Sequence, residues 1–170
     1  MKSLKTERLV FRPYVKCEAD RTAVVELLTD EDIIEHVSNG FMTKEEAEEL
    51  FDQIFANVYE TSAFDVWGVF SRENSCYVGH AEIKPRGKGT PDWEIIYILK
   101  REHWGQGYAT EIVQALISYG FQDRRLKRVI ATVDAENRDS IRVLQNVGMT
   151  LNGKEINEQG ECLIYAAASS

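Results

Sequence analysis

The sequence is poor in the residues that mark metal, membrane and nucleic-acid proteins. Only three cysteines occur among 170 residues: Cys17, Cys76 and Cys162. Their odd number and wide spacing argue against a disulfide framework. No CxxC pair and no Cys/His cluster has zinc-ligand spacing, so no metal is expected. A reducing, cytoplasmic setting fits, with the cysteines acting as small semi-buried hydrophobes. No stretch reaches the ~18 apolar residues of a membrane span. Met1 to Phe11 lacks the apolar centre of a secretory signal. A basic excess is missing too: 20 Lys+Arg face 28 Asp+Glu, for a net −8. That argues against a nucleic-acid partner. Repeats, low-complexity tracts and linkers are absent, and the length suits one domain spanning 1–170.

What is present is unevenly spread. Residues 1–16 carry a net +4, and residues 61–170 a net −1. Residues 17–60 hold two basic and thirteen acidic residues, a net −11. With 44% hydrophobic and 28% charged residues, the chain reads as a soluble globular protein.

Hydrophobic period sets the expected elements. Glu7 to Tyr14 alternates as a strand, with Leu9 and Phe11 on one face. Ala19 to Leu28 reads as a short helix, and Asp30 to Val37 as a second helical piece. Thr43 to Tyr59 follows as an amphipathic helix opened by a Thr43–Glu46 capping box. Strands are expected over Phe64–Ser71, Cys76–Lys84 and Trp93–Lys100, with a Pro- and Gly-rich loop over Pro85–Asp92. A helix over Gly107–Phe121, a strand over Val129–Val133 and a helix over Asp139–Val147 come next. Gly148 takes the left-handed position after that helix. A hairpin over 150–167 ends the chain. The order implies a mixed α/β domain with a partly antiparallel sheet.

The most informative stretch is WEIIYILKREHWGQGYATE, residues 93–111. An apolar strand ends in a polar turn, and Gly105 and Gly107 open a helix. The first helical turn has amides without intrahelical partners, and the macrodipole makes that end positive. Glycines let a phosphate reach the backbone. The expected ligand is a phosphate or pyrophosphate on the amides of Gly105, Gln106, Gly107, Tyr108, Ala109 and Thr110. A tight turn alone would give the same pattern. Neither the P-loop nor the dinucleotide fingerprint is present. Asn137 and Ser140 sit at a second strand-to-helix junction, at the same sheet edge if the two units run parallel.

Together these segments resemble the GNAT N-acetyltransferases, and closely their ribosomal-protein-alanine (RimJ/RimL-like) branch. The carrying residues are Trp104-Gly105-Gln106-Gly107-Tyr108-Ala109-Thr110-Glu111, then Asn137, Ser140, Leu144 and Gly148-Met149. The opening Thr6 to Arg12 and the Val78-Gly79-His80 strand match as well. The resemblance implies a mostly antiparallel sheet of six to seven strands, splayed at one parallel pair and flanked by helices. It implies acetyl-CoA as donor, no metal, and an amine, expected to be cationic, as acceptor, in a monomer or homodimer. The pantetheine arm would lie between the strands at 93–100 and 129–133, bonded to backbone near Ile98, Leu99 and Lys100. The pyrophosphate would sit on Gly105–Thr110, and Asn137 would bond the arm. Trp104 stands where the family's motif has Gln or Arg.

Acetyl transfer to an amine needs a base, an oxyanion donor and a proton for the leaving thiolate. Glu94 is the first candidate base and Glu82 the second, though each also reads as an ordinary outward strand carboxylate. An amide near Ile98 or Leu99 would serve the oxyanion. Many members of the family carry a Tyr seven residues after the Asn; here that place is Leu144. In the branch it resembles, a Ser three after the Asn is the proposed donor, here Ser140, which could instead cap its helix. His36, His80 and His103 share no motif spacing. The basic run Arg124, Arg125, Lys127 and Arg128 is either a solvated turn or a contact for the adenosine phosphate. A non-catalytic CoA-binding module is the competing reading.

Overall fold

The computed structural model describes residues 1–35, 42–87, 89–158 and 160–169. Eight strands form one sheet in the order β1-β2-β3-β4-β5-β6-β8-β7. They are β1 (Leu4–Lys5), β2 (Leu9–Arg12), β3 (Asp65–Ser71), β4 (Tyr77–Pro85), β5 (Trp93–Leu99), β6 (Arg128–Asp134), β7 (Thr150–Asn157) and β8 (Gly160–Ala168). The sheet has one strand beyond the six to seven expected. Two-residue β1 is too short to show a period and exists through its pairing, Leu4 with Phe11 and Lys5 with Val10.

Every described strand pair is antiparallel except β5–β6. That parallel pair is brief: only Trp93 with Val129 and Glu94 with Ile130 are in register. Beyond Glu94 the strands part, while β5 stays paired to β4 as far as Leu99 with Gly79. Gly79 permits this lean. A Cβ there would lie 2.1 Å from the Ile98 carbonyl oxygen and 3.1 Å from the Leu99 Cα. No side chain fits.

The helices divide between the faces. α1 (Glu18–Leu28), α2 (Glu31–Ile34) and α3 (Lys44–Gln53) cover one face; α4 (Tyr108–Gln122) and α5 (Arg138–Asn146) cover the other. The capping box forms: Thr43 N donates to Glu46 Oε2 at 2.7 Å, and Glu46 N to Thr43 Oγ1 at 3.2 Å. The helix expected through Tyr59 loosens into π geometry over Ile54–Tyr59. Of the second helical piece, residues 36 and 37 lie outside the described residues, as do His36 and Lys88. Leu9, Phe11, Ile83, Ile112, Leu116 and Leu144 build the core under α4 and α5. Val24, Leu27, Phe51, Val66 and Ile98 build the core under α1 to α3.

Candidate active site

The gap opened beyond Glu94 is the centre of the candidate site. Its backbone chemistry follows from strand parity. The Lys100 amide donates to the Val78 carbonyl at 3.0 Å, on the β4 side. Backbone groups alternate along a strand. Ile98 and Lys100 therefore face β4, and Tyr97 and Leu99 face the gap. Of the residues expected to offer backbone groups to a ligand, Ile98 pairs with His80 on β4, and Lys100 gives its amide to Val78 and its carbonyl to the His103 amide at 3.0 Å. Leu99 keeps that position, and its carbonyl accepts Trp104 Nε1 at 3.0 Å.

The glycine turn lies past the end of β5. After a single 3-10 turn over Arg101–His103, Gly105 (φ 70°) and Gly107 (φ 79°) adopt left-handed backbone. Gly107 caps α4 without a side chain, so the amides of Tyr108, Ala109 and Thr110 have no intrahelical acceptor. Open space surrounds a Cβ position at Gly105. The N-terminal arm braces the turn, which the sequence reading missed. Arg8 Nη1 donates to the Gln106 carbonyl at 2.8 Å, and the guanidinium lies 4.4 Å from the Tyr108 ring centroid. Glu111 accepts the Arg8 amide at 2.9 Å and Arg8 Nε at 2.8 Å. Burial pushes the Glu111 carboxyl up, but bonds from Thr6 and Arg8 outweigh it and hold it below the usual range. A cavity of about 750 Å³ runs between residues 2–8 and α4, touching this turn at Gly107 and Thr110.

Asn137 is the N-cap of α5, its Oδ1 accepting the Ser140 amide at 3.1 Å. Ser140 is therefore not the cap, and its hydroxyl is not committed to the helix start. It lies beside the buried Tyr97 hydroxyl, which makes no hydrogen bond of normal geometry among the described residues. Leu144 is 1% exposed and part of the apolar layer beneath.

Glu82 and Glu94 share the opposite face of the sheet, since Glu82 pairs with Ile96 and Lys84 with Glu94. Their surroundings differ. His80 Nε2 lies 2.8 Å from Glu82 Oε1, and Lys84 Nζ 3.2 Å from Oε2. Burial alone would raise the Glu82 carboxyl; His80 and Lys84 reverse this and hold it at about 2. An ionised carboxylate only accepts, so Nε2–H donates. Nδ1 meets the Tyr14 hydroxyl at 2.9 Å, and Tyr14 meets the Tyr77 hydroxyl at 2.9 Å. Burial raises both phenols, so they remain protonated. His80 is thus a satisfied strand residue, yet one bonded to a candidate catalytic carboxylate.

Two members of the basic run, Arg124 and Arg128, are paired, while Arg125 and Lys127 are exposed. Arg124 Nε donates to buried Asp65 at 2.6 Å, and Arg128 lies 3.3 Å from Asp92. Both lie near the far end of α4, whose 15 residues span about 22 Å. Arg101 instead joins the two sides, pairing with Asp30 at 3.1 Å and with Asp32. Beside it, a cavity of about 350 Å³ opens between the α1–α2 corner and the turn after β5, lined by Glu26, Asp30, Lys100 and Glu102.

These features fit a CoA thioester: an unpaired strand edge for an amide-bearing arm, and unpartnered amides for a pyrophosphate. The comparisons agree. Residues 8–150 match the acetyltransferase (GNAT) domain family. The uncharacterized N-acetyltransferase YnaD of Bacillus subtilis is 30% identical over 150 residues, covering 88% of this chain and 84% of that protein. The solved structure of a GNAT-family acetyltransferase from Bacillus anthracis is similar with a TM-score of 0.82 and 26% identity, covering 98% of each chain. Spermidine N-acetyltransferase from Vibrio cholerae, solved with CoA and spermine, shares the fold with a TM-score of 0.80 at 17% identity over 96% of each chain. Sheet, gap, glycine turn and family match lead to one conclusion: the chain belongs to the GNAT acetyltransferases and uses acetyl-CoA as its cosubstrate.

Proposed function

We propose that the protein moves the acetyl group of acetyl-CoA directly to a cationic primary amine: a protein N-terminus, as in the RimJ/RimL-like branch, or a small-molecule amine. The supporting observation is the placement of carboxylates on the sheet face opposite α4 and α5. Glu82 and Glu94 stand there on neighbouring strands, beneath helices α1 to α3. A carboxylate there attracts an ammonium group and takes its proton, directly or through water.

The two carboxylates divide this work. Glu82, held at about 2 by His80 and Lys84, is a weak proton acceptor and a durable negative charge. Glu94 has no such pair of partners and is the base. The Leu99 or Tyr97 amide, on the gap edge, donates to the developing oxyanion. Gly105 to Thr110 hold the pyrophosphate, and Asn137 orders the start of α5 beside the arm.

The test is CoA release from acetyl-CoA with spermidine, an alanine-terminated peptide, kanamycin and ethanolamine. Turnover with at least one amine, lowered on the order of a hundredfold in Glu94→Gln, is the expected result. Tight acetyl-CoA binding without turnover on any amine would overturn the reading.

A further inference from the structure

We propose that Tyr97 is the proton donor to the departing CoA thiolate, with Ser140 positioning its hydroxyl. The inference rests on the acetyl-transfer reading and assigns the one role that reading leaves open.

Three observations converge on Tyr97. It lies three residues beyond Glu94, the last β5 residue in register with β6. Its main chain therefore borders the gap. Its side chain packs with the core under α4 and α5, on the side where the glycine turn and Asn137 lie. Its hydroxyl is buried beside Ser140 but makes no hydrogen bond of normal geometry among the described residues. A buried hydroxyl so poorly satisfied costs stability, and phenylalanine would fill the same space without that cost. The hydroxyl has a use when a sulfur atom occupies the gap.

Ser140 is placed to assist. With Asn137 capping α5, the Ser140 hydroxyl is spared that duty. Burial pushes the Tyr97 phenol up, and Ser140 draws it part of the way back. The phenol thus stays protonated at neutral pH. It is also a better acid than the serine alkanol, and closer to a thiol in acidity. Leu144, where other members of the family carry a tyrosine, has no proton to give. Tyr97 delivers a phenol from the opposite wall.

The step balances. The neutral amine nitrogen attacks the thioester carbon, and the C–N bond forms. The C–S bond breaks, and its electron pair leaves on sulfur. Sulfur takes the Tyr97 proton as the nitrogen loses one to Glu94 or water. Tyr97 regains a proton from solvent.

The experiment compares the parent, Tyr97→Phe, Ser140→Ala and the double variant, with the best amine of the panel above. Single-turnover rates separate chemistry from product release. In Tyr97→Phe the rate should fall on the order of a hundredfold. Acetyl-CoA affinity by calorimetry should stay within about threefold, and the melting temperature of the free protein should be unchanged or higher. Ser140→Ala should lose on the order of tenfold, and the double variant should match Tyr97→Phe, because the pair acts as a unit. A parental single-turnover rate in Tyr97→Phe, or a lost rate accompanied by lower melting temperature and weaker binding, overturns the assignment. An inactive parent overturns the acetyl-transfer reading itself, and this inference with it.

Discussion

The two sides of the β5–β6 gap are made of different material. The α4/α5 side is built from backbone: a parted strand edge, left-handed Gly105 and Gly107, and the free amides of the first turn of α4. The α1–α3 side is built from side-chain charge: Glu82 on His80 and Lys84, Asp20 on Arg12, Asp52 on Arg21. A backbone site recognises what every enzyme of this kind shares, a thioester arm and its phosphates. A side-chain site changes by substitution and can follow a changing acceptor. Arg101 connects them, rising from the turn after β5 to Asp30 and Asp32 at the α1–α2 corner.

The largest expected effect comes from closing the gap itself. Gly79→Ala would set a Cβ against the Ile98 carbonyl, at 2.1 Å in the present backbone. The far atoms are main chain and cannot rotate away, so β5 must move back from β4. A loss of about 3 kcal/mol is expected, or roughly 6–12 °C in melting temperature for a chain of this size. Acetyl-CoA KM should rise at least about tenfold, because β5 also forms the edge of the gap. Unchanged melting and KM would show that the lean of β5 does not depend on Gly79.

That contrast also governs what could be read from the sequence. Gly105, Gly107, Asn137 and the apolar strand at 93–100 are local signals, visible within a few residues of each other. Helix and strand periods likewise reveal themselves in short windows. The other side is assembled from distant residues: Tyr14 meets His80 across 66 positions, and Arg101 meets Asp30 across 71. No spacing rule announces such pairs. Tyr97 lies between these cases. Strand alternation alone separates Tyr97 and Leu99 from Ile98 and Lys100, but only the pairing with Val78 says which set faces the gap. Arg8 was hidden in the same way as the distant pairs, since its partners Gln106 and Glu111 lie 98 and 103 positions along the chain.

A smaller, pH-dependent effect belongs to Glu82. Its folded pKa of about 2 lies below the ordinary value of 4.5. The folded state therefore binds its proton less readily than the unfolded chain. The resulting stability, on the order of 3 kcal/mol at most, is fully present above pH 4.5 and is lost as pH falls toward 2. Glu82→Gln should lower stability near pH 7 and flatten the dependence of melting temperature on pH across that window. A parental acid limb in Glu82→Gln would mean that Glu82, His80 and Lys84 are not coupled as the distances indicate.

The smallest effect tests whether the acidic segment recognises anything. Its thirteen acidic residues are not all available to a substrate. Asp20 is held by Arg12, Asp52 by Arg21, and Asp30 and Asp32 by Arg101. Reversing Asp32 would break the Arg101 bridge and confuse recognition with architecture. Glu26 and Glu31 are exposed, and Glu26 borders the cavity beside Arg101. In Glu26→Lys/Glu31→Lys, kcat/KM for spermidine should fall about three- to tenfold at low ionic strength, while acetyl-CoA KM stays at the parental value. The difference should shrink as added salt shortens the Debye length from ~10 Å at 0.1 M to ~3 Å at 1 M. A salt-sensitive loss confined to the acceptor would make the acidity a steering surface for cations. Equal loss for both substrates would break the division between the two sides of the gap. No loss at all would leave the acidic excess of residues 17–60 to solubility and the starts of α2 and α3, where Glu31, Asp32, Glu45 and Glu46 already favour the helix dipole.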